Sequence, residues 1–213
     1  MKTIILNGSP RNNWNTAQLL KSAREGAASV GSETEYINLY DMNFTGCRGC
    51  LACKRKGAVR CKCFWKDDLS PLLDRIFDAD ALIIGIPNYL GDITSQVQAL
   101  IERLVFCCLS YDDYANYYKG KVNMGVILTM NATQDYYEKV YREKFTNRLE
   151  KLHHTLNGTM EIQPCFDTLQ VKDYFKYSMS SFNEDHKKAR HDEQFNSDLD
   201  QAFQMGVKLG ARK

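Results

Sequence analysis

The sequence predicts an α/β fold, a doubly wound five-stranded parallel sheet with helices on both faces. Three observations carry this. Short β-branched runs alternate with segments of helical period along the whole 213-residue chain. Helical segments fall between successive strands, supplying the right-handed crossovers that parallel neighbours need. The run Ala81–Ile86 lacks polar alternation, as a strand covered on both faces requires.

The elements follow in order. Lys2–Leu6 is a β-branched run that stops at Asn7-Gly8-Ser9-Pro10, and from Thr16 the spacing of Leu19, Leu20, Ala23 and Ala27 gives one apolar helical face. Thr34–Leu39 reads as a second strand, and a Cys-rich loop occupies 41–66. A second helix starts at Asp67 or Asp68, either of which can cap it, and Pro71 is tolerated in its first turn. Ala81–Ile86 breaks at Pro87-Asn88-Tyr89-Leu90-Gly91. A third helix then carries Val97, Leu100, Ile101, Leu104 and Val105, with Asp92 or Thr94 as its cap. Val122–Met130 is the fourth strand, Asp135–Leu156 a long helix, Thr159–Val171 a fifth extended segment interrupted by Pro164, and Asp185–Leu209 the last helix. No repeat or low-complexity linker divides the chain, so 1–213 reads as a single domain.

Composition excludes several classes. The 28 Lys and Arg balance 26 Asp and Glu, a net charge of +2, which argues against nucleic acid or a membrane surface as partner. No stretch reaches the roughly 18 apolar residues of a membrane-spanning helix. Met1–Asn7 is too short for the apolar core of a secretory signal, so a cytoplasmic location is expected. In that reducing compartment the eight cysteines are expected to be free, metal-bound or redox-active rather than a disulfide framework.

In doubly wound sheets ligands sit beyond the carboxyl ends of the strands, which directs attention to Gly8–Thr16, Pro87–Thr94 and Thr129–Gln134. The first of these sets Ser9, Arg11, Asn15 and Thr16 directly before a helix N-terminus, the arrangement of an anion site. It lacks the G-x-G-x-x-G spacing of dinucleotide folds and the Lys-Ser/Thr ending of a P-loop, so a single phosphate monoester is the better fit. The second loop, Pro87, Asn88, Tyr89, Leu90, Gly91 and Asp92, pairs an aromatic with amides able to hydrogen-bond a ring edge. Thr129 opens the third. No Ser-His-Asp or Cys-His constellation is present: His153 and His154 are adjacent, and His186 and His191 diverge by about 140° on a helix.

Gly8-Ser9-Pro10-Arg11 with Asn15-Thr16, Cys47-x2-Cys50-x2-Cys53, Asp67-Asp68 and Pro87-x-Tyr89-x-Gly91 together resemble the NADPH-dependent FMN reductases of the flavodoxin-like superfamily. The resemblance implies strand order 2-1-3-4-5 and FMN as cofactor. It makes NAD(P)H the co-substrate, with a quinone, free flavin or other small-molecule acceptor, and it implies a homodimer. On matching positions Ser9, Arg11, Asn15 and Thr16 would grip the FMN phosphate, and Pro87–Gly91 would line the isoalloxazine. Trp14 and Asn88 depart from the family's usual small and aliphatic residues. Such an enzyme needs no protein nucleophile, because the flavin carries the chemistry. The net charge also argues against use as an acidic electron carrier.

Five cysteines fall between Cys47 and Cys63 among Arg48, Lys54, Arg55, Lys56, Arg60 and Lys62. The triplet followed by Cys61 resembles the iron-sulfur flavoproteins of the same superfamily, which implies a cluster on Cys47, Cys50, Cys53 and Cys61. Cys63, just before Asp67-Asp68, instead resembles the cluster-free reductases. Cluster, zinc and free or redox-active thiols all remain open on the sequence. Cys107, Cys108 and Cys165 read as packing residues, and the Tyr-rich stretch Tyr111–Tyr118 as an aromatic lid, a subunit contact or ordinary packing.

Overall fold

The structure is a computed structural model and describes residues 1–212. Five parallel strands lie in the order β2-β1-β3-β4-β5: β1 (Lys2–Asn7), β2 (Glu33–Asn38), β3 (Ala81–Pro87), β4 (Val122–Thr129) and β5 (Asn157–Cys165). Helix α1 (Asn15–Ser29) follows β1, α2 (Leu69–Phe77) precedes β3, and α3 (Ser95–Cys108) connects β3 to β4. A single turn, α4 (Gln134–Tyr136), and α5 (Arg142–Leu156) lead to β5, and α6 (Glu184–Gly210) ends the chain.

Alternation along the strands divides the core. Ile4, Leu6, Leu82, Ile84, Val126 and Leu128 face α2, α3 and α5, whereas Ile5, Ile83 and Ile127 face α1 and α6. Both faces of the central strands are therefore dry, which is why β3 shows no alternation in sequence. Glycines let α1 and α6 touch: a Cβ at Gly206 would lie 1.9 Å from the Ala23 carbonyl oxygen, and one at Gly26 2.0 Å from that of Phe203.

The expected strands and helices are present, with two main shifts. The helix expected over 135–156 is interrupted by a π-helical turn at Tyr137–Tyr141, and only Arg142–Leu156 is regular. There Tyr141 packs edge-on against Phe145 and Tyr137 against Phe166, so aromatic packing overrides the regular period. The fifth strand begins at Asn157 and ends at Cys165, earlier at both ends than expected. Asn157 takes a left-handed backbone (φ 56°), which Asn tolerates, and this ends α5 sharply. Pro164 fits because β5 is an edge strand, hydrogen-bonded on one side only. Finally, the side chain of Asp67 accepts from the N–H groups of Leu69 (3.1 Å) and Ser70 (3.3 Å) at the start of α2. No helix among the described residues is long and apolar enough to cross a membrane.

Candidate functional site

The carboxyl ends of β1, β3, β4 and β5 meet around a cavity of about 90 Å³. Its wall comprises Ser9, Arg11, Asn15, Thr16, Pro87, Asn88, Tyr89 and Thr129 of the expected residues, with Trp14, Met130, Asn131, Thr168 and Gln170 besides. A wider cleft of about 550 Å³, lined by Asn13, Lys172, Lys176 and Tyr177, adjoins it through Arg11, Trp14 and Gln170.

The first loop is shaped from below. Buried Asn7 accepts from the Ser9 N–H (3.0 Å) and donates to Asn38 Oδ1 (3.1 Å), and Ser9 Oγ in turn accepts from the Arg11 N–H (3.1 Å). The Gly8 N–H donates to the Gly85 carbonyl (2.8 Å), which pins the loop to β3. Gly85 lets α1 sit directly on that strand, because a Cβ there would lie 2.7 Å from Thr16 Cγ2 and 2.5 Å from Leu20 Cδ1. No side chain caps the first turn of α1 and no acidic residue lies in it, so the positive end of the helix dipole faces the cavity unneutralised. Thr16 and Thr129 share a buried hydroxyl–hydroxyl bond of 2.7 Å that joins this turn to β4.

A segment after β5 covers the loop. Trp14 Nε1 (3.0 Å) and Asn15 Nδ2 (2.8 Å) both donate to the Leu169 carbonyl, and Arg11 Nη1 donates to that of Gln170 (2.6 Å). Carbonyl oxygens thus engage three donors of the kind that serve an anion. On the opposite wall Asn88 Oδ1 and Asn131 Oδ1 are buried acceptors without a partner, each open to a ligand donor. The Tyr89 hydroxyl is pushed up by burial and by Tyr40, against the opposing charge of Arg11, and stays protonated at neutral pH.

Leu90, Gly91 and Asp92 stand outside the cavity. Tyr89 and Asp92 exchange backbone hydrogen bonds (2.9 and 3.0 Å) around a tight turn with Leu90 and Gly91 at φ 54° and 77°, which throws Leu90 fully into solvent. Asp92 pairs instead with Arg148 at 3.3 Å. Thr94, expected as a cap for α3, sends its hydroxyl to the Gly8 carbonyl (2.9 Å) and so supports the phosphate-type loop. In the Tyr-rich stretch Tyr111 packs edge-on against Phe106, and Tyr117 carries the Arg60 guanidinium over its ring, both beside the Cys-rich loop. Thr168 and Gln170 were missed because they follow an edge strand; the rule that ligands gather at carboxyl ends applies to β5 as well.

The cysteines lie elsewhere, against α3. Buried Arg103 donates to Asp67, to the Thr45 carbonyl (3.2 Å), to Ser70 Oγ (2.7 Å) and to Cys63 Sγ (3.3 Å). Lys54 donates to the carbonyls of Phe106 and Leu109 at the C-terminal end of α3, a favourable place for a cation. Cys47 and Cys50 are exposed and Cys53 is buried; Cys61 turns toward Cys108, whose hydrogen bond holds the Cys61 thiol below its ordinary value. Among the described residues no three Cys, His, Asp or Glu side chains come together as a metal site. Cys47, Cys50, Cys53 and Cys63 line one cavity against α3, together with Arg103 and Cys107, and Cys61 lies outside it.

A family model described as NADPH-dependent FMN reductase matches residues 1–135. Among curated proteins, an iron-sulfur flavoprotein of Methanocaldococcus jannaschii is 39% identical over 103 residues, covering 48% of this chain and 51% of that protein. An iron-sulfur flavoprotein of Archaeoglobus fulgidus is 40% identical over 103 residues, 48% of each. The chain thus spans about half the length of the curated relatives it matches. Among solved structures, an NAD(P)H:quinone oxidoreductase from Methanothermobacter marburgensis aligns with a TM-score of 0.75 at 17% identity, covering 98% of both chains. An FMN-dependent NADH-azoreductase from Bacillus anthracis, solved with FMN, aligns at 0.65 and 14% identity over 99% of this chain and 100% of that one. At such identities these two show the shared fold.

Proposed function

The chain belongs to the NADPH-dependent FMN reductase family, and on that premise we propose that it binds FMN in the cavity at the sheet's carboxyl edge and passes reducing equivalents from NAD(P)H to a small acceptor such as a quinone. The observation that carries the reading is the uncapped first turn of α1 facing a polar cavity of phosphate size, with the hydroxyls of Ser9 and Thr16 and the side chains of Arg11 and Asn15 around it. The donor set fits a phosphate monoester, and the orphan oxygens of Asn88 and Asn131 suit donors on a flavin or its chain.

When bound, FMN would supply hydride acceptance from the nicotinamide and its onward transfer. The chain's own residues bind and orient. Ser9, Thr16 and the first-turn N–H groups hold the phosphate, Arg11 neutralises it at the cavity mouth, and Pro87–Tyr89 form the wall for the ring. Arg11, Trp14 and Asn15, which donate to the Leu169 and Gln170 carbonyls, would exchange those acceptors for ligand oxygens. The acceptor is a small molecule reaching the site from the adjoining cleft, and the enzyme works as a homodimer.

Protein purified under native conditions is expected to be yellow, or to become so with added FMN, and to oxidise NAD(P)H when a quinone is present. Colourless protein that FMN cannot reconstitute overturns the reading. Arg11→Ala is expected to weaken FMN binding about tenfold, roughly 1.4 kcal/mol, through the lost charge-assisted bond. Flavin-fluorescence quenching titration measures it, and unchanged affinity would remove Arg11 from the phosphate site.

A second reading is favoured by the Cys47-x2-Cys50-x2-Cys53 spacing and by relatives named iron-sulfur flavoproteins: an electron-transfer flavoprotein that also carries a cluster. Iron and acid-labile sulfide assayed on anaerobically purified protein separate the two. Less than one iron per chain would support the first reading, and about four would establish the second.

A further inference from the structure

The cleft beside the cofactor cavity has a composition of its own. It holds about 550 Å³, room for a ligand of a few fused rings, and shares Arg11, Trp14 and Gln170 with the smaller cavity, so its inner end opens at the proposed flavin site. Three cations line it, Arg11, Lys172 and Lys176, against one carboxylate, Asp173. Two aromatic rings, Trp14 and Tyr177, lie among them. The phosphate site uses Arg11, but the flavin reading assigns the two lysines no task.

The loop that carries those lysines is braced. Tyr174 is buried and its hydroxyl accepts from the Gln170 N–H (2.9 Å), Asp173 Oδ1 accepts from the Phe175 N–H (3.1 Å), and the Tyr177 N–H donates to the Tyr174 carbonyl (3.0 Å). Lys172, Lys176 and Tyr177 are thereby set on one short turn beside Trp14. Asp173 lies 3.4 Å from Lys176 Nζ and offsets one lysine, whereas exposed Lys172 pairs with no carboxylate among the described residues. Arg11 sits over the Trp14 ring, 5.9 Å from its centre. The cleft therefore offers ring faces and an excess of positive charge together. Trp14 stands where the related reductases commonly have a small residue, so this ring is a feature of the present chain.

We propose that this cleft selects a flat aromatic acceptor that carries an anionic group, a sulfonated or carboxylated quinone in preference to a neutral one. The proposal rests on the flavin reading for turnover and is independent of it for binding. The ring packs against Trp14 and Tyr177, a contact that aromatic pairs favour. The anionic group meets Lys172 and Lys176, which line the cleft and not the inner cavity, and this leaves the quinone ring toward the shared end. On turnover the quinone gains a hydride equivalent from NAD(P)H and a proton from solvent, becomes the hydroquinone, and NAD(P)⁺ is released. A neutral quinone of the same shape keeps the ring contacts and loses the charge contacts. An exposed ion pair contributes a factor of about five at most, so two lysines, one of them offset by Asp173, favour the anion about tenfold.

Equilibrium dialysis of the protein as purified tests this with two probes of the same three-ring frame, anthraquinone-2-sulfonate and neutral 2-hydroxymethylanthraquinone, neither of which adds to thiols. The sulfonate is expected to bind about tenfold more tightly at low salt, and the ratio to fall to about twofold in roughly 0.5 M sodium chloride, where exposed charges are screened. The double variant Lys172→Gln, Lys176→Gln is expected to bring the ratio to about twofold at low salt as well. Equal affinities in the wild type overturn the proposal, and that comparison needs no variant. So does a ratio that survives the double substitution. Adenosine 2′,5′-bisphosphate, the phosphate-bearing end of NADPH, is the third probe. If it binds more tightly than the sulfonate and weakens in the same variant, the lysines serve the nicotinamide co-substrate and the proposal falls. Colourless protein with the sulfonate preference intact would count against the flavin reading alone, and flavin-loaded protein without that preference against this proposal alone.

Discussion

Arg103→Met is expected to destabilise the protein by about 3–5 kcal/mol at neutral pH, the range seen when one partner of a buried ion pair is removed. The guanidinium is 2% exposed and joins the start of α2, the Thr45 carbonyl and the Cys63 sulfur to the middle of α3. Methionine fills much of the volume but leaves the Asp67 carboxylate, 11% exposed, without its cation. The defect has a pH signature. Burial would raise Asp67, but the hydrogen bond and charge of Arg103 outweigh it and hold the carboxyl below its ordinary value. A carboxyl depressed in the folded state contributes stability that is complete above its unfolded value near 4. That contribution is lost as pH falls through the folded value. In the variant the same group loses its cation and keeps only the Leu69 and Ser70 N–H bonds, so its value rises and protonation relieves part of the defect. The difference between wild type and variant, measured by urea unfolding, should therefore be largest near pH 7 and shrink below about pH 4. A difference independent of pH would show that packing alone was lost.

That arginine also shows where the sequence stops being informative. The strands and helices were legible because their periods are local: Leu19, Leu20 and Ala23 report one helix face, and Ala81–Ile86 a doubly covered strand, without reference to any partner. The first cavity loop was legible for the same reason, since donors and helix N-terminus adjoin in the chain. The Cys-rich loop has no period, and its conformation is set by contacts with α3, where Arg103 meets Thr45, Cys63 and Asp67 from 36 to 58 positions away. Spacing suggested that Cys61 completes a set with Cys47, Cys50 and Cys53, yet the fold turns it to Cys108. Leu90 is a different case. Position in a strand-to-helix loop suggested a wall residue, but the tight turn between Tyr89 and Asp92 points it outward.

Gly8→Ala should cost more flavin affinity than any single donor lost from the loop. A Cβ at Gly8 would lie 2.5 Å from Val97 Cγ2 and 2.8 Å from the Gly85 carbonyl oxygen. The side chain can rotate, but the carbonyl belongs to the central strand and cannot yield. It is also the acceptor for the Gly8 N–H, so the methyl group pushes the loop away from the bond that pins it. The displacement passes to Ser9, which is set by Asn7, and to the Gly8 carbonyl, which receives the Thr94 hydroxyl. Several donors then miss the phosphate together, and their losses add. We expect FMN binding about 100-fold weaker, roughly 2.7 kcal/mol. The fold should also lose some stability, since overpacking of this kind costs about 1–3 kcal/mol, towards the low end at the edge of the core. Flavin titration paired with thermal unfolding of the flavin-free protein separates the two effects. Weakened binding with a midpoint lowered by only a few degrees supports the assignment of this loop to the phosphate. Unchanged binding would place the phosphate elsewhere, because no residue of the loop can keep its position once Gly8 is driven off β3.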